Sequence, residues 1–404
     1  MRILLVHNFY QIPGGEDKVV REELAMLSRA GLTVDLFSIH NDEIKGTLGS
    51  LGAALRVIYN RRSRQALFKK LKEFSPDIVH VHNFFPLLSP SVFDACEDIG
   101  VPSIMTLHNF RIFSPGALLH PSENWPGRSL RAPCWPTVPR RVYRNSVAAT
   151  AAVAAMIEFH KLAGTWTRKV SRFIALSEWA KQRFVEAGLP VDRIVVKPNC
   201  VASPPAFDPM RRRQGALFVG RLSEEKGIRI LLRAWKQSDY PLKIIGDGPL
   251  SDLVEQNVCK SISYLGRQPT DVVQREMQAA KFLVLPSTCP EMFPVSVVEA
   301  FSNQLPVICS DLPSMEHLVV AGATGLRFAV NDADALARQV AWASSNGTML
   351  EEMGRRAYAT YQASYTEESN IAQLVEIYSG AIKAPDVHQY RRPGVSRPGV
   401  VLER

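Results

Sequence analysis

The chain has 404 residues, 46% hydrophobic and 22% charged, with a formal net charge of +9. That length exceeds one ordinary hydrophobic core, so two domains are expected. The composition is that of a soluble globular protein, and no apolar run reaches the ~18 residues that a membrane-spanning helix needs.

The start, MRILLVHNFYQ, turns polar after six residues and reads as a first buried strand rather than a signal peptide. Strand-like and helix-like runs then alternate. RILLVHN (2–8) leads into GGEDKVVREELAMLSRAG (14–31), whose apolar residues recur at helical spacing, and LTVDLFSI (32–39) follows. PDIVHVHN (76–83), PSIMTLHN (102–109), RFIALS (172–177) and RIVVKPN (193–199) are further strands, and the Ala-rich SVAATAAVAAMI (146–157) is a packed helix. The Pro- and Arg-rich stretch 198–215 reads as a linker. Beyond it the alternation restarts with ALFVG (216–220), PLKIIGDG (241–248), ISYLG (262–266), KFLVLPS (281–287), LPVICSD (305–311) and GLRFAV (325–330). Strand–helix–strand repetition predicts α/β architecture with parallel sheets covered on both faces. Two doubly wound domains are expected, 1–198 and 199–383, the last helix packing back on the first domain. The segment 384–404 lacks periodicity and is expected to be a disordered tail.

Six scattered cysteines (96, 134, 200, 259, 289, 309) form no CxxC pair. That pattern suits reduced thiols in a cytoplasmic protein. The charge is uneven. Residues 1–200 carry 26 Lys and Arg against 17 Asp and Glu, whereas residues 201–404 carry 22 of each. The basic excess is densest in RRSRQALFKKLK (61–72) and in Arg128, Arg131, Arg140, Arg141 and Arg144. It suits an anionic partner such as phosphate or an anionic membrane surface, or simply makes solvated helix faces. No nucleic-acid-binding motif accompanies it, so no nucleic acid is expected.

In open parallel sheets ligands bind beyond the carboxyl ends of the strands. Gly14 and Gly15 stand there, where a missing side chain lets a ligand approach the first helix's free N–H groups. Arg221 and Lys226, in VGRLSEEKG, follow a strand and could grip a diphosphate; read alone, they make an exposed turn with Glu224 and Glu225 as partners. Gly246–Asp247–Gly248 is locally a turn. Asp332 and Asp334 read as an N-capped helix start rather than a metal site, and no metal is expected there. His108 ends a strand and is a candidate acid, base or hydrogen-bond donor. His80 and His82, at alternate strand positions, share one face.

The stretch PEMFPVSVVEAF (290–301) places Glu291 and Glu299 around an apolar segment. Pro294 suits the first turn of a helix, leaving Glu291 in the preceding loop and Glu299 in the second turn. A diphosphate fits the N-terminus of such a helix. Glu299 could accept from a ribose diol, and Glu291 would lie beyond the phosphate near a transferred group. The two carboxylates would hold opposite ends of one extended ligand.

Together GGEDKVV, TLHN, VGRLSEEKG, IIGDGPL, YLGR and Glu291-x7-Glu299 resemble the retaining glycosyltransferases of family 4 over residues 1–380. The resemblance implies the GT-B fold, two Rossmann-like doubly wound domains facing a central cleft. It implies an acceptor-binding first domain and a second domain that holds a UDP- or GDP-sugar. It further implies transfer of a hexose to a glycan or lipid-linked glycan without metal or cofactor, as in bacterial surface or exopolysaccharide synthesis. By motif, Arg221 and Lys226 match the diphosphate grip, Glu299 the ribose acid, and Glu291 the residue touching the sugar. His108 matches the histidine near the reacting centre, Gly14 and Gly15 the loop over the donor, and Gly266 and Arg267 the base contact. Phe293, Pro294 and Val295 fall in the donor-binding segment. The chain departs from the family at Met292 and Pro294, where many relatives carry glycine, and at Cys200. A cytoplasmic enzyme, peripheral on the inner face of the plasma membrane, is expected. Competing readings are a GT-B sugar-nucleotide epimerase and a non-catalytic nucleotide-sugar-binding scaffold.

Overall fold

The computed structural model describes residues 1–11, 14–41, 56–118, 130–204, 213–236 and 238–383. The segment 384–404, Arg128 and linker residues 205–212 lie outside these. The first half runs β1 (Arg2–Phe9), α1 (Gly15–Arg29), β2 (Thr33–His40), α2 (Arg61–Phe74), β3 (Ile78–Asn83), α3 (Val92–Ile99), β4 (Ser103–Leu107), α4 (Val147–Leu162), β5 (Arg172–Ala175), α5 (Glu178–Glu186) and β6 (Ile194–Val196). The second runs β7 (Ala216–Val219), α6 (Ile228–Trp235), β8 (Leu242–Ile245), α7 (Ser251–Glu255), β9 (Ile262–Tyr264), α8 (Thr270–Ala279), β10 (Phe282–Leu285), α9 (Val295–Ser302), β11 (Val307–Ser310), β12 (Gly325–Phe328), α10 (Ala333–Ser345), α11 (Gly347–Ser364) and α12 (Glu367–Lys383).

Two six-stranded sheets result, β2-β1-β3-β4-β5-β6 and β12-β11-β10-β7-β8-β9. Every strand pair is parallel. The fold is α/β with two doubly wound layers, as the alternation predicts. Parallel strands need cover on both faces and so read as unbroken apolar runs. Ile3, Leu4, Leu5 and Val6 accordingly have no exposed surface. Helix starts follow side-chain chemistry: Asn60, Ser146, Ser177 and Asp332 each accept a backbone N–H of the first turn. Asp332 thus caps α10, as read from sequence. Pro294 occupies the cap position of α9 rather than its first turn.

The strand order reverses beside β1 and β3 in one sheet and beside β7 and β10 in the other. Crevices open at such switch points beyond the strand ends. The loop after β1 carries Gly14, and the loops after β7 and β10 carry Arg221 and Glu291. The last helix returns to the first sheet, where Leu374, Tyr378 and Ala381 of α12 share a core with Ile3, Leu5 and Ile78.

Gly227 bends the chain between β7 and α6 at φ +72, and a Cβ there would lie 1.8 Å from the Pro286 carbonyl oxygen. That close approach locks the Arg221–Lys226 loop against the end of β10. We expect Gly227→Ala to destabilise the protein by about 2 kcal/mol or more, combining left-handed strain with the clash. Equilibrium denaturation checks this.

Candidate functional site

The two switch points meet across a cleft of about 560 Å³. Gly14, Gly15, Glu16 and Lys18 line it from the first sheet's side, with His108 and Asn109. Arg221, Lys226, Asp247, Arg267 and the segment from Cys289 to Ser296 line it opposite, with Glu299. Every residue that the sequence nominates reaches this cleft except Gly266. That residue does not line the cavity; it stands at φ +65, and its carbonyl accepts the Gly246 N–H at 2.9 Å. Through that bond it supports the Gly246–Asp247–Gly248 turn.

Gly15 would tolerate a Cβ as far as the protein is concerned, for nothing lies within 4 Å of one. The loop is held by its own carboxylates. Asp17 accepts the Gly14 N–H at 3.0 Å and bonds His7 Nε2 at 2.7 Å. Glu16 accepts from Asn109 Nδ2 at 2.7 Å and from the Tyr10 hydroxyl at 3.1 Å. Burial pushes the Glu16 carboxyl above its ordinary pKa, against the pull of the Asn109 bond.

On the facing wall, Lys226 Nζ sits 2.5 Å from Glu291 Oε2, and the Ser287 hydroxyl donates to Glu291 Oε1 at 2.5 Å. The Glu291 N–H donates to Ser314 Oγ at 3.2 Å. The cation and the carboxylate, nominated for neighbouring parts of one ligand, are thus direct partners. Glu224 and Glu225 are not the partners of Arg221 and Lys226; Glu224 pairs with Arg229 at 2.9 Å and Glu225 accepts from Ser223 at 2.6 Å. Glu299, only 6% exposed, is paired across the cleft with Lys18 of α1. Burial works against the Lys18 ammonium, but Glu299 and then Glu22 raise its pKa overall. Met292 also crosses, packing against the first sheet's core, while its carbonyl accepts from Ser177 Oγ at 3.5 Å. Met292 thus makes a contact between the two sheets.

Behind His108 lies a buried polar cluster. His82 Nδ1 is 3.1 Å from His108 Nε2, and His82 Nε2 is 3.1 Å from Glu23 Oε1. Glu23 also meets His80 Nδ1 at 3.0 Å and Lys197 Nζ at 3.4 Å. His80 is bonded further to Tyr378 at 2.9 Å and to Thr106 at 2.7 Å. Among the described residues, Glu23, His80 and His82 are the group with donor atoms spaced for a metal ion. Their chemistry does not favour one: the Lys197 ammonium already compensates the carboxylate, and both nitrogens of each ring are within hydrogen-bonding reach of protein partners. Burial, aided by His80, pushes His82 down to about 4 against the pull of Glu23. Burial and then His82 hold His108 well below the ordinary imidazole range. Burial alone would raise Glu23, but His82, Lys197 and His80 bring it well below the usual carboxylate range.

Sequence reasoning missed Glu16, Lys18, Glu23 and Lys197. A signal existed for one of them. The buried stripe of α1 is Val19, Val20, Glu23, Met26 and Leu27, so Glu23 is a carboxylate at a core position.

A family model described as Glycosyltransferase Family 4 matches residues 13–203, and one described as Glycosyl transferases group 1 matches residues 211–360. The chain belongs to the family 4 glycosyltransferases. The D-rhamnosyltransferase WbpZ of Pseudomonas aeruginosa is 31% identical over 156 residues, which are 37% of this chain and 41% of that protein. The D-inositol 3-phosphate glycosyltransferase of Corynebacterium urealyticum is 24% identical, with 92% of each chain covered. The chain spans 40% and 41% of the two relatives that it matches at 33% and 31% identity. Anabaena HepE, solved in complex with UDP, shares the fold with a TM-score of 0.66 at 17% identity, over 94% of this chain and 100% of that one. The paired parallel sheets are therefore the GT-B fold of this family.

The depressed histidines make stability pH-dependent. Below pH ~6.5 an unfolded imidazole binds a proton that the folded ring refuses, so stability falls on acidification by up to about 1.4 kcal/mol per pH unit for each such group. For His82 the loss ends as pH drops through about 4. Melting temperature should therefore decline from pH 6.5 to pH 4.5, and His108→Gln, which removes one such group, should flatten the decline.

Proposed function

We propose that this chain is a retaining, metal-independent hexosyltransferase. It moves a hexose from a UDP- or GDP-sugar to a glycan or lipid-linked glycan acceptor in the synthesis of a bacterial surface or exported polysaccharide. The observation that carries this reading is that α9 faces the cleft with a carboxylate at each end of the segment, Glu291 before it and Glu299 within it, while Lys226 and Arg221 line the same wall. The proposed roles follow. Glu299 accepts from the ribose diol. Arg221, Lys226 and the first-turn amides of α9 take the diphosphate charge, which in a water-poor site stabilises the leaving group. Glu291 orients the hexose, and its present partner Lys226 is released to the phosphate. Phe293, Pro294 and Val295 form the floor, Arg267 lies toward the base, and Gly14 and Gly15 leave room over the donor. His108 approaches the sugar from the opposite wall. The relatives named above as a rhamnosyltransferase and an inositol phosphate glycosyltransferase, and the UDP bound to HepE, support a nucleotide-sugar donor.

The donor is tested by thermal shift with UDP, GDP, ADP and their hexose conjugates. A nucleotide at 100 times its Kd should stabilise the fold by about 2.7 kcal/mol; no shift with any of them would remove the main support. We expect Glu299→Ala to raise the donor KM about 10- to 100-fold, as the loss of one or two hydrogen bonds to a diol implies. Glu291→Gln should lower kcat by about 100-fold. A Glu291 variant with full turnover would remove that residue from the site.

A cytoplasmic chain, peripheral on an anionic membrane, completes the proposal. No helix among the described residues is long and apolar enough to cross a membrane. Arg61 and Arg62 are exposed at the start of α2, and with Arg56 and the half-exposed Phe159 they line a groove of about 870 Å³. Binding to anionic vesicles should weaken as salt shortens the screening length below ~8 Å. It should also weaken in Arg61→Ala/Arg62→Ala; binding indifferent to both would refute the membrane role.

A further inference from the structure

The buried cluster behind His108 has a direction that its hydrogen bonds fix. Glu23 is a carboxylate and can only accept, so His82 Nε2, 3.1 Å away, carries the hydrogen between them. A neutral His82 then has a bare Nδ1. His108 Nε2 lies 3.1 Å from that nitrogen and must donate to it. The two rings run nearly parallel, 24° apart with centroids 5.3 Å from each other. One nitrogen of His108 is thereby committed to the interior, and only Nδ1 remains for a ligand in the cleft.

We propose that Glu23 and His82 are positioning residues which hold His108 as its Nε2–H tautomer, so that His108 offers the cleft a hydrogen-bond-accepting Nδ1. The chemical consequence rests on the donor-site reading. His108 accepts from a hydroxyl of the bound sugar or acceptor; it is neither a cation toward the diphosphate nor a donor from Nδ1. The phosphate charge then falls to Arg221 and Lys226 alone among the nominated side chains.

The surroundings keep this arrangement neutral. Glu23 faces His82 from α1, His80 lies beside it on β3 with ring centroids 4.1 Å apart, and His7 of β1 is 6.5 Å away and bonded to Asp17. Lys197 after β6 compensates Glu23, and Asn370 of α12 holds the Lys197 ammonium at 2.9 Å. Tyr378 of α12 caps His80. Burial holds both His82 and His108 below the ordinary imidazole range. The orienting partner of a histidine sets which nitrogen is protonated, here through a second histidine.

The test is the nitrogen-15 spectrum of the full chain labelled in its imidazoles, with His108 assigned by its absence in His108→Gln. The expected result, with no nucleotide present, is a protonated Nε2 and a bare Nδ1 on His108 throughout pH 8 to pH 6. A proton on Nδ1, or a doubly protonated ring at pH 6, overturns the proposal. This readout needs neither donor nor turnover, so it fails or succeeds independently of the glycosyltransferase reading. In a turnover assay, His82→Phe keeps a ring but removes both nitrogens. It should lower kcat about 10- to 100-fold with little change in donor KM, and His82→Asn, whose carbonyl can accept from His108, should recover part of the loss. A His82→Phe protein with unchanged kcat and an unchanged His108 spectrum would also overturn it.

Discussion

The Glu23 carboxylate is the constraint on which the cleft's first wall depends. A buried charge needs partners, and removing one of them from such a site typically costs about 3–5 kcal/mol. Here the partners come from separate parts of the chain: His80 and His82 from β3, and Lys197 from the segment leaving β6. Asn370 then ties Lys197 to α12 and donates to the Pro198 carbonyl at 2.8 Å. One carboxylate therefore joins α1, the strand before a ligand loop, the crossing segment between the sheets and the returning last helix. The same helix that carries Glu23 begins at Gly15, so the loop bearing Gly14 inherits its position from that interior network.

The second wall is organised by a different principle. Its polar groups are satisfied by one another and by the facing wall: Lys226 by Glu291, and the buried Glu299 by Lys18 across the cleft. Such pairs are reversible, since a phosphate can replace a carboxylate at an ammonium and a diol can replace an ammonium at a carboxylate. The cleft thus has a buried hydrogen-bonded network behind one wall and direct ion pairs on the other. Met292 and Ser177 couple the two sides through apolar packing and one hydrogen bond. The loop that carries Met292 is thus also a link between the two halves.

The alternation of apolar strands and amphipathic helices by itself determined the two parallel sheets, because a strand buried on both faces must be apolar throughout and the helices that cover it must carry a stripe. The Gly-rich and charged turns fall at strand ends, and Glu291, Glu299, Arg221, Lys226 and His108 were nominated there from the order and spacing of the motifs taken together, since Arg221 and Lys226 read alone make an exposed turn. Tertiary structure alone decided who faces whom. Lys18 and Glu299 are 281 residues apart, and His82 meets His108 only because β3 lies beside β4. The stripe of α1 marks Glu23 as a carboxylate at a core position, but only the tertiary structure supplies its partners from β3, Lys197 and α12, for periodicity reports which face of an element is buried and not which groups are buried with it.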